Sequence, residues 1–387
     1  MPSRLLAVAL ALLVASLSVG AAAPGDDPAG GWDKAAAARY LDARMDVWWQ
    51  KAKPLKSGET TTKCLSCHTA IPYALARPAL RKAMGVTAAT AHETTILETV
   101  RTRMAHLDDQ QPFYDHTEDK KVESRGVEAV LSAFLLTSHD TDAGATAPDA
   151  VTQKAVTRLW QVQRADGAWD WLNFGLEPYE TSDAVFHGAT LAAMAAGSPM
   201  GAAASRTPDG AAGLTRLRGF LSANVGSQRL FNRAWALLAS SRLTGLLTPA
   251  ERDAIARQLE AKQRPDGGWS LADLGEWRWS KTAMPYASPG ATDAALVGAS
   301  DAYATGLVLY AMKQAGQGTR PTVHKGLTWL RAHQQAQPAE QEDAAAWAPW
   351  RAHSLNFDRE HGGDKGEPWR RMFMSDLATA FAVLALL

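Results

Sequence analysis

The chain has 387 residues, 40 Lys plus Arg against 40 Asp plus Glu, and only two cysteines. A formal net charge of zero leaves no electrostatic case for nucleic-acid binding. The length allows one large domain with a smaller segment beside it.

Arg4, the apolar run Leu5 to Val19 and the small residues Gly20 to Ala23 have the order of a secretory signal peptide. Pro24 resists the peptidase, so cleavage is expected at Gly20 or Ala22. Residues 1–23 are thus read as the signal peptide, and the protein is expected to be periplasmic or otherwise exported. No second long apolar run follows, so no transmembrane anchor is expected in the mature chain.

Both cysteines lie in Cys64-Leu65-Ser66-Cys67-His68. Two intervening residues space the thiols for thioether bonds to adjacent vinyl groups, and the following His68 meets the iron. The motif predicts one covalent c-type haem held by Cys64, Cys67 and His68, with His68 as the metal ligand. A zinc site would need two further ligands that no paired motif supplies. A redox Cys-x-x-Cys would need a βαβ context that is not seen. Ala35 to Lys51 reads as a helix with Tyr40, Leu41, Val47 and Trp48 on one side, facing either a haem or ordinary core. Pro54 to Lys63 reads as a polar loop, and Ala74 to Met84 as a helix. Met84, His92, Met104, His106 and His116 are within sequence reach as distal ligands. Residues 24–88 are read as the haem-binding segment.

From residue 89 onward the chain repeats itself. Gln163-Arg-Ala-Asp166-Gly167-Ala-Trp169 returns as Gln263-Arg-Pro-Asp266-Gly267-Gly-Trp269, and a third copy begins at Lys325 and reaches Gln334. In that copy Trp347 or Trp350 stands in for the tryptophan. Each copy ends a helical stretch and is followed by a second helix opened by Ser182-Asp183, Ser300-Asp301 or Ser375-Asp376. Ser124-Arg125 opens a degenerate fourth. Ser and Asp suit a helix N-terminus, Gly after Asp suits a left-handed turn, and Gly188 and Gly306 permit close helix packing. Ten helices, about five hairpins, are expected from 89 to 387, with no strands. A single hairpin cannot bury its apolar face, so the hairpins must stack.

These Gln-x-x-Asp-Gly-x-Trp turns, with Lys325-Gly-x-x-Trp-Leu-x-x-x-Gln334, resemble the repeats of squalene–hopene and oxidosqualene cyclases. Together with a single c-type haem motif they also look like bacterial proteins termed squalene cyclase-like. The resemblance implies an all-α chain: an α/α toroid of about five to six helical hairpins over 89–387, preceded by a small helical cytochrome c-like haem segment. The family's chemistry is not carried over. Its Asp-x-Asp-Asp acid is absent, Asp140-Thr-Asp142 being the nearest match in a loop-like stretch. The related prenyltransferases' zinc set also has no counterpart, since both cysteines are in the haem motif.

Glu177-Pro-Tyr179, Met284-Pro-Tyr286 and Glu367-Pro-Trp369 each precede a Ser-Asp helix start, in loops carrying Trp171, Trp277, Trp279, Trp347 and Trp350. In a toroid such loops gather at one mouth. The candidate rim is Glu177, Tyr179, Asp183, His187, Tyr286, Asp301, Glu367 and Trp369, suited to an apolar small-molecule ligand. The other reading makes the aromatics loop anchors, the Asp residues helix caps and His187 a core residue. Two functions are carried forward. One is a haem protein for electron transfer or redox sensing, coupled to an apolar ligand and an unidentified redox partner. The other is an enzyme of the cyclase superfamily acting on an isoprenoid-like substrate.

Overall fold

A computed structural model describes residues 31–65, 67–277, 299–355 and 368–387. The signal peptide expected over 1–23 lies outside them. The helices are α1 Lys34–Lys51, α2 Ala70–Ala83, α3 Ala91–Ala105, α4 Glu118–Asp142, α5 Ala150–Gln161, α6 Ala184–Gly197, α7 Pro199–Ala204, α8 Pro208–Asn224, α9 Leu230–Ser240, α10 Pro249–Glu260, α11 Ala302–Gln314, α12 Pro321–Ala332 and α13 Phe373–Leu386.

Burial sorts these helices into two rings. α6 buries 12 of its 14 residues and α13 also 12 of 14, whereas α8 buries 4 of 17 and α10 only 3 of 12. A helix apolar on all sides must be enclosed, and one with a single apolar stripe faces water on the other side. The inner helices α2, α4, α6, α9, α11 and α13 pack each on the next, and α13 returns to α2. The outer helices α1, α3, α5, α8, α10 and α12 back onto them. Among the described residues the helices form an α/α toroid of six hairpins. Five come from residues beyond 89, as the repeats imply. The sixth is α1–α2, so the segment with the Cys motif packs in the same ring as its neighbours across residue 88.

The repeats are staples between outer helices. Gly167 and Gly267 both adopt φ +96°, which closes the turn. Asp166 Oδ1 accepts from Ala168 N, and Asp266 Oδ1 from Gly268 N, each at 3.0 Å. Gln163 Nε2 donates to Gly213 O on α8 at 3.0 Å, and Gln263 Nε2 to Thr322 O on α12 at 2.8 Å. Trp169, Trp269 and Trp350 are fully buried. Their indole nitrogens donate to Leu159 O (2.9 Å), Leu259 O (2.7 Å) and Leu330 O (2.9 Å). Trp350 is therefore the third copy's tryptophan, and Trp347 is not. A Cβ on Gly306 would meet the α13 backbone at Phe381 C, 2.6 Å away; the space at Gly188 is taken instead by the Trp171 ring.

Several local expectations are corrected. Residues 54–63 form an antiparallel ribbon, β1 Pro54–Ser57 and β2 Thr60–Lys63, turning at Gly58 with φ +58°. Strands of four residues are too short to print a period-two pattern. Arg103 of α3, paired with Glu128 of α4, donates to Thr62 Oγ1 at 2.9 Å and to Gln111 O at 2.8 Å, pinning the ribbon that leads into Cys64. Ser124 lies inside α4 and bonds Tyr114 in the preceding loop instead of capping a helix. Asp140 belongs to the last turn of α4, not to a loop, and accepts from Thr152 Oγ1 at 2.6 Å.

Candidate binding cavity

β2 delivers Cys64, and α2 begins two residues after His68, so the motif occupies the step from the ribbon to an inner helix. Both thiols and His68 border a cavity of about 720 Å³. Two aromatic groups stand on its walls. In one, His68 stacks on Phe373 with centroids 3.5 Å apart, while Trp48 and Trp369 pack around them. In the other, Tyr114 packs edge-on against Phe174 at 4.8 Å and against His116 at 6.4 Å. Lys51, Lys53 and Arg370 supply positive charge along the border, and Asp115, Glu177 and Glu180 negative charge.

Three of the predicted rim residues, Glu177, Tyr179 and Trp369, line this same cavity. The cysteine motif and the toroid rim, read separately in the sequence, form one site. Tyr179 is buried, and its hydroxyl pairs with that of Tyr303 on α11. Glu177 is buried and bonds Arg229 at 2.8 Å.

The other rim candidates go elsewhere. Asp183 makes no side-chain cap; it pairs with Arg229 at 2.9 Å on a separate cleft of about 1010 Å³, where the guanidinium lies 5.1 Å from the Trp277 ring centroid. Asp301 is the buried N-cap of α11, accepting from Ala304 N at 2.8 Å and Leu271 N at 2.5 Å. The cap reading is correct there, and a rim role is not, because both carboxylate oxygens are spent on backbone. Tyr286 and Glu367 lie outside the described residues, as does Trp279.

His187 is 2% exposed and sits on the toroid axis against Trp235, with ring centroids 4.5 Å apart. Its Nδ1 has no hydrogen-bond partner, so it is not a satisfied core histidine. Burial pushes its pKa down to about 3. Trp235, Phe381 and neighbouring side chains fill the axis, leaving a hollow of about 10 Å³, the room of one water.

The cysteines are not paired with each other. Burial, and secondarily the Glu180 carboxylate, push the Cys67 thiol up to about 12; burial raises Cys64 as well. A reactive thiolate needs the opposite environment. Among the described residues no group of three or more His, Cys, Asp and Glu side chains converges as a metal-ion site.

Of the distal-ligand candidates, His116 borders the cavity. Met104 is core, Met84 points outward, His92 accepts from Trp49 Nε1 at 3.2 Å, and His106 bonds Asp109 at 3.1 Å. Met374, which no motif marks, also borders it.

Asp376 lies within the first turn of α13, which begins at Phe373, and so is not a cap. Its buried carboxylate accepts from Tyr40 Oη (2.7 Å), Arg44 Nε (2.7 Å) and Thr69 Oγ1 (2.7 Å). Arg44 also donates to Trp369 O at 2.8 Å. His68 Nδ1 lies 3.2 Å from Thr69 Oγ1. Sequence reasoning missed this cluster because its members are up to 336 residues apart.

No helix among the described residues is long and apolar enough to cross a membrane. No family model and no curated protein matches the chain. A solved structure of an unsaturated glucuronyl hydrolase aligns over 91% of this chain and 95% of its own, at 12% identity and TM-score 0.48.

Proposed function

We propose that the protein is an exported c-type haem protein for electron transfer or redox sensing, with its haem held inside the mouth of its own toroid. The observation that carries this reading is the meeting of Cys64, Cys67 and His68 with Tyr179, Trp369 and Phe373 on one cavity of about 720 Å³. That volume falls within the range of ligand and cofactor sites, which are lined mostly by apolar and aromatic groups. The apolar ligand that the rim suits is, in this reading, the porphyrin. Lys51, Lys53 and Arg370 supply charge for two propionates. When bound, the haem supplies one-electron chemistry; the chain's part is to hold it and exclude water.

The test is expression with a cytochrome c maturation system. Haem should survive denaturing electrophoresis, and the pair Cys64→Ala with Cys67→Ala should lose it. A colourless but stably folded wild type, made with the maturation factors present, overturns the reading.

A further inference from the structure

We propose that Thr69 and Asp376 are positioning residues that hold His68 in one tautomer. Asp376 is 1% exposed and makes an ion pair with Arg44 at 2.7 Å, so its carboxylate accepts hydrogen bonds and does not donate. Tyr40 and Arg44 occupy Oδ1, and Thr69 Oγ1 donates to Oδ2 at 2.7 Å. The hydroxyl has one proton, and it is committed to Asp376. The Thr69 oxygen therefore meets His68 Nδ1, 3.2 Å away, with a lone pair. Nδ1 must therefore carry a proton, and in the neutral imidazole Nε2 then carries the lone pair.

A second observation points the same way. Thr69 stands at the N-cap position of α2, where a Thr hydroxyl ordinarily accepts from the backbone of the first turn. It makes no such bond. The hydroxyl is diverted from helix capping to the Asp376–His68 bridge.

The Nε2 lone pair is what a metal requires of a histidine ligand, and a bonded Nδ1–H orients the ring and raises its basicity. This consequence rests on the haem reading above; the tautomer itself does not. With haem bound, an acceptor chain ending in a carboxylate favours the more positive, oxidised iron. Removing the bridge should raise the midpoint potential.

Two measurements test the proposal. In the full chain made without maturation factors and labelled with ¹⁵N-histidine, the His68 side-chain shifts should report the Nδ1–H tautomer. Thr69→Val should move them toward the Nε2–H form, and Thr69→Ser should restore the wild-type pattern. In the haem-loaded protein Thr69→Val should raise the midpoint potential by about 59 mV, a tenfold change for one electron, and Thr69→Ser should not. An Nε2–H tautomer in the wild type overturns the proposal even if no variant folds. So does a Thr69→Val chain that folds with unchanged histidine shifts. If no haem is incorporated, the function above fails, and the tautomer measurement alone decides this inference.

Discussion

Gln334 and Asp33 join the two ends of the outer ring. The Gln334 amide accepts from Asp33 N at 2.7 Å and donates to Asp33 O at 2.8 Å. Asp33 is the N-cap of α1, and Gln334 follows α12, 301 residues later. Gln163 and Gln263 link α5 to α8 and α10 to α12 in the same manner, so the third copy's glutamine closes the circle. Gln334→Ala should destabilise the fold by about 1–2 kcal/mol, the net worth of two hydrogen bonds. Urea unfolding measures it; no change in midpoint would mean that the ring is closed by the inner helices alone.

The three buried tryptophans should behave alike. Trp169→Ala, Trp269→Ala and Trp350→Ala each empty a fully enclosed site and break a bond to a helix carbonyl. Each should cost about 3–5 kcal/mol. Trp347→Ala should cost markedly less, since its indole nitrogen makes no bond. Equal losses for Trp347 and Trp350 in chemical denaturation would undo the assignment of the third copy.

His187 makes stability depend on pH. Its pKa is pushed down to about 3 by burial, against about 6.5 in an unfolded chain. Between these values the unfolded chain binds a proton that the folded one refuses, so stability is lost as pH falls through this window. The slope from this one group is about 1.4 kcal/mol per pH unit. His187→Leu should flatten the stability profile between pH 6 and 5 by that amount. An unchanged slope would mean that His187 accepts a proton in the folded protein.

If haem is held by Cys64, Cys67 and His68, the cavity would offer His116 and Met374 as candidates for a second protein ligand. Phe373 stacks on His68 and Met374 follows it on α13, whereas His116 packs against Tyr114, which packs against Phe174. In haem-loaded protein His116→Ala should change the absorption spectrum of the oxidised form and increase binding of an added imidazole. Met374→Ala should leave both unchanged. The reverse pattern would place the ligand on α13.

The repeats were legible in the sequence because each is a local device. Gly167 turns the chain, Asp166 binds an amide two residues on, and Trp169 reaches a carbonyl ten residues back. Short-range chemistry of this kind needs only neighbouring residues, and so do the helical periods and the Cys64–His68 spacing. Which of Asp183, Asp301 and Asp376 caps its helix was not legible. The three share a Ser-Asp motif, yet one pairs with an arginine at a cleft, one caps a helix and one is a buried hub.

The sequence by itself determined an all-α chain of stacked hairpins and the spacing of two thiols and an imidazole. Only the tertiary structure decided that the hairpin carrying the motif is the sixth sector of the ring, and that Tyr40, Arg44, Thr69 and Asp376 meet beneath His68. The reason is closure. Helix-forming and turn-forming preferences act over a few residues, but which apolar faces meet is settled when the ring buries all of them at once. That condition brings α13 against α1 and α2 from the far end of the chain, and no local pattern records it.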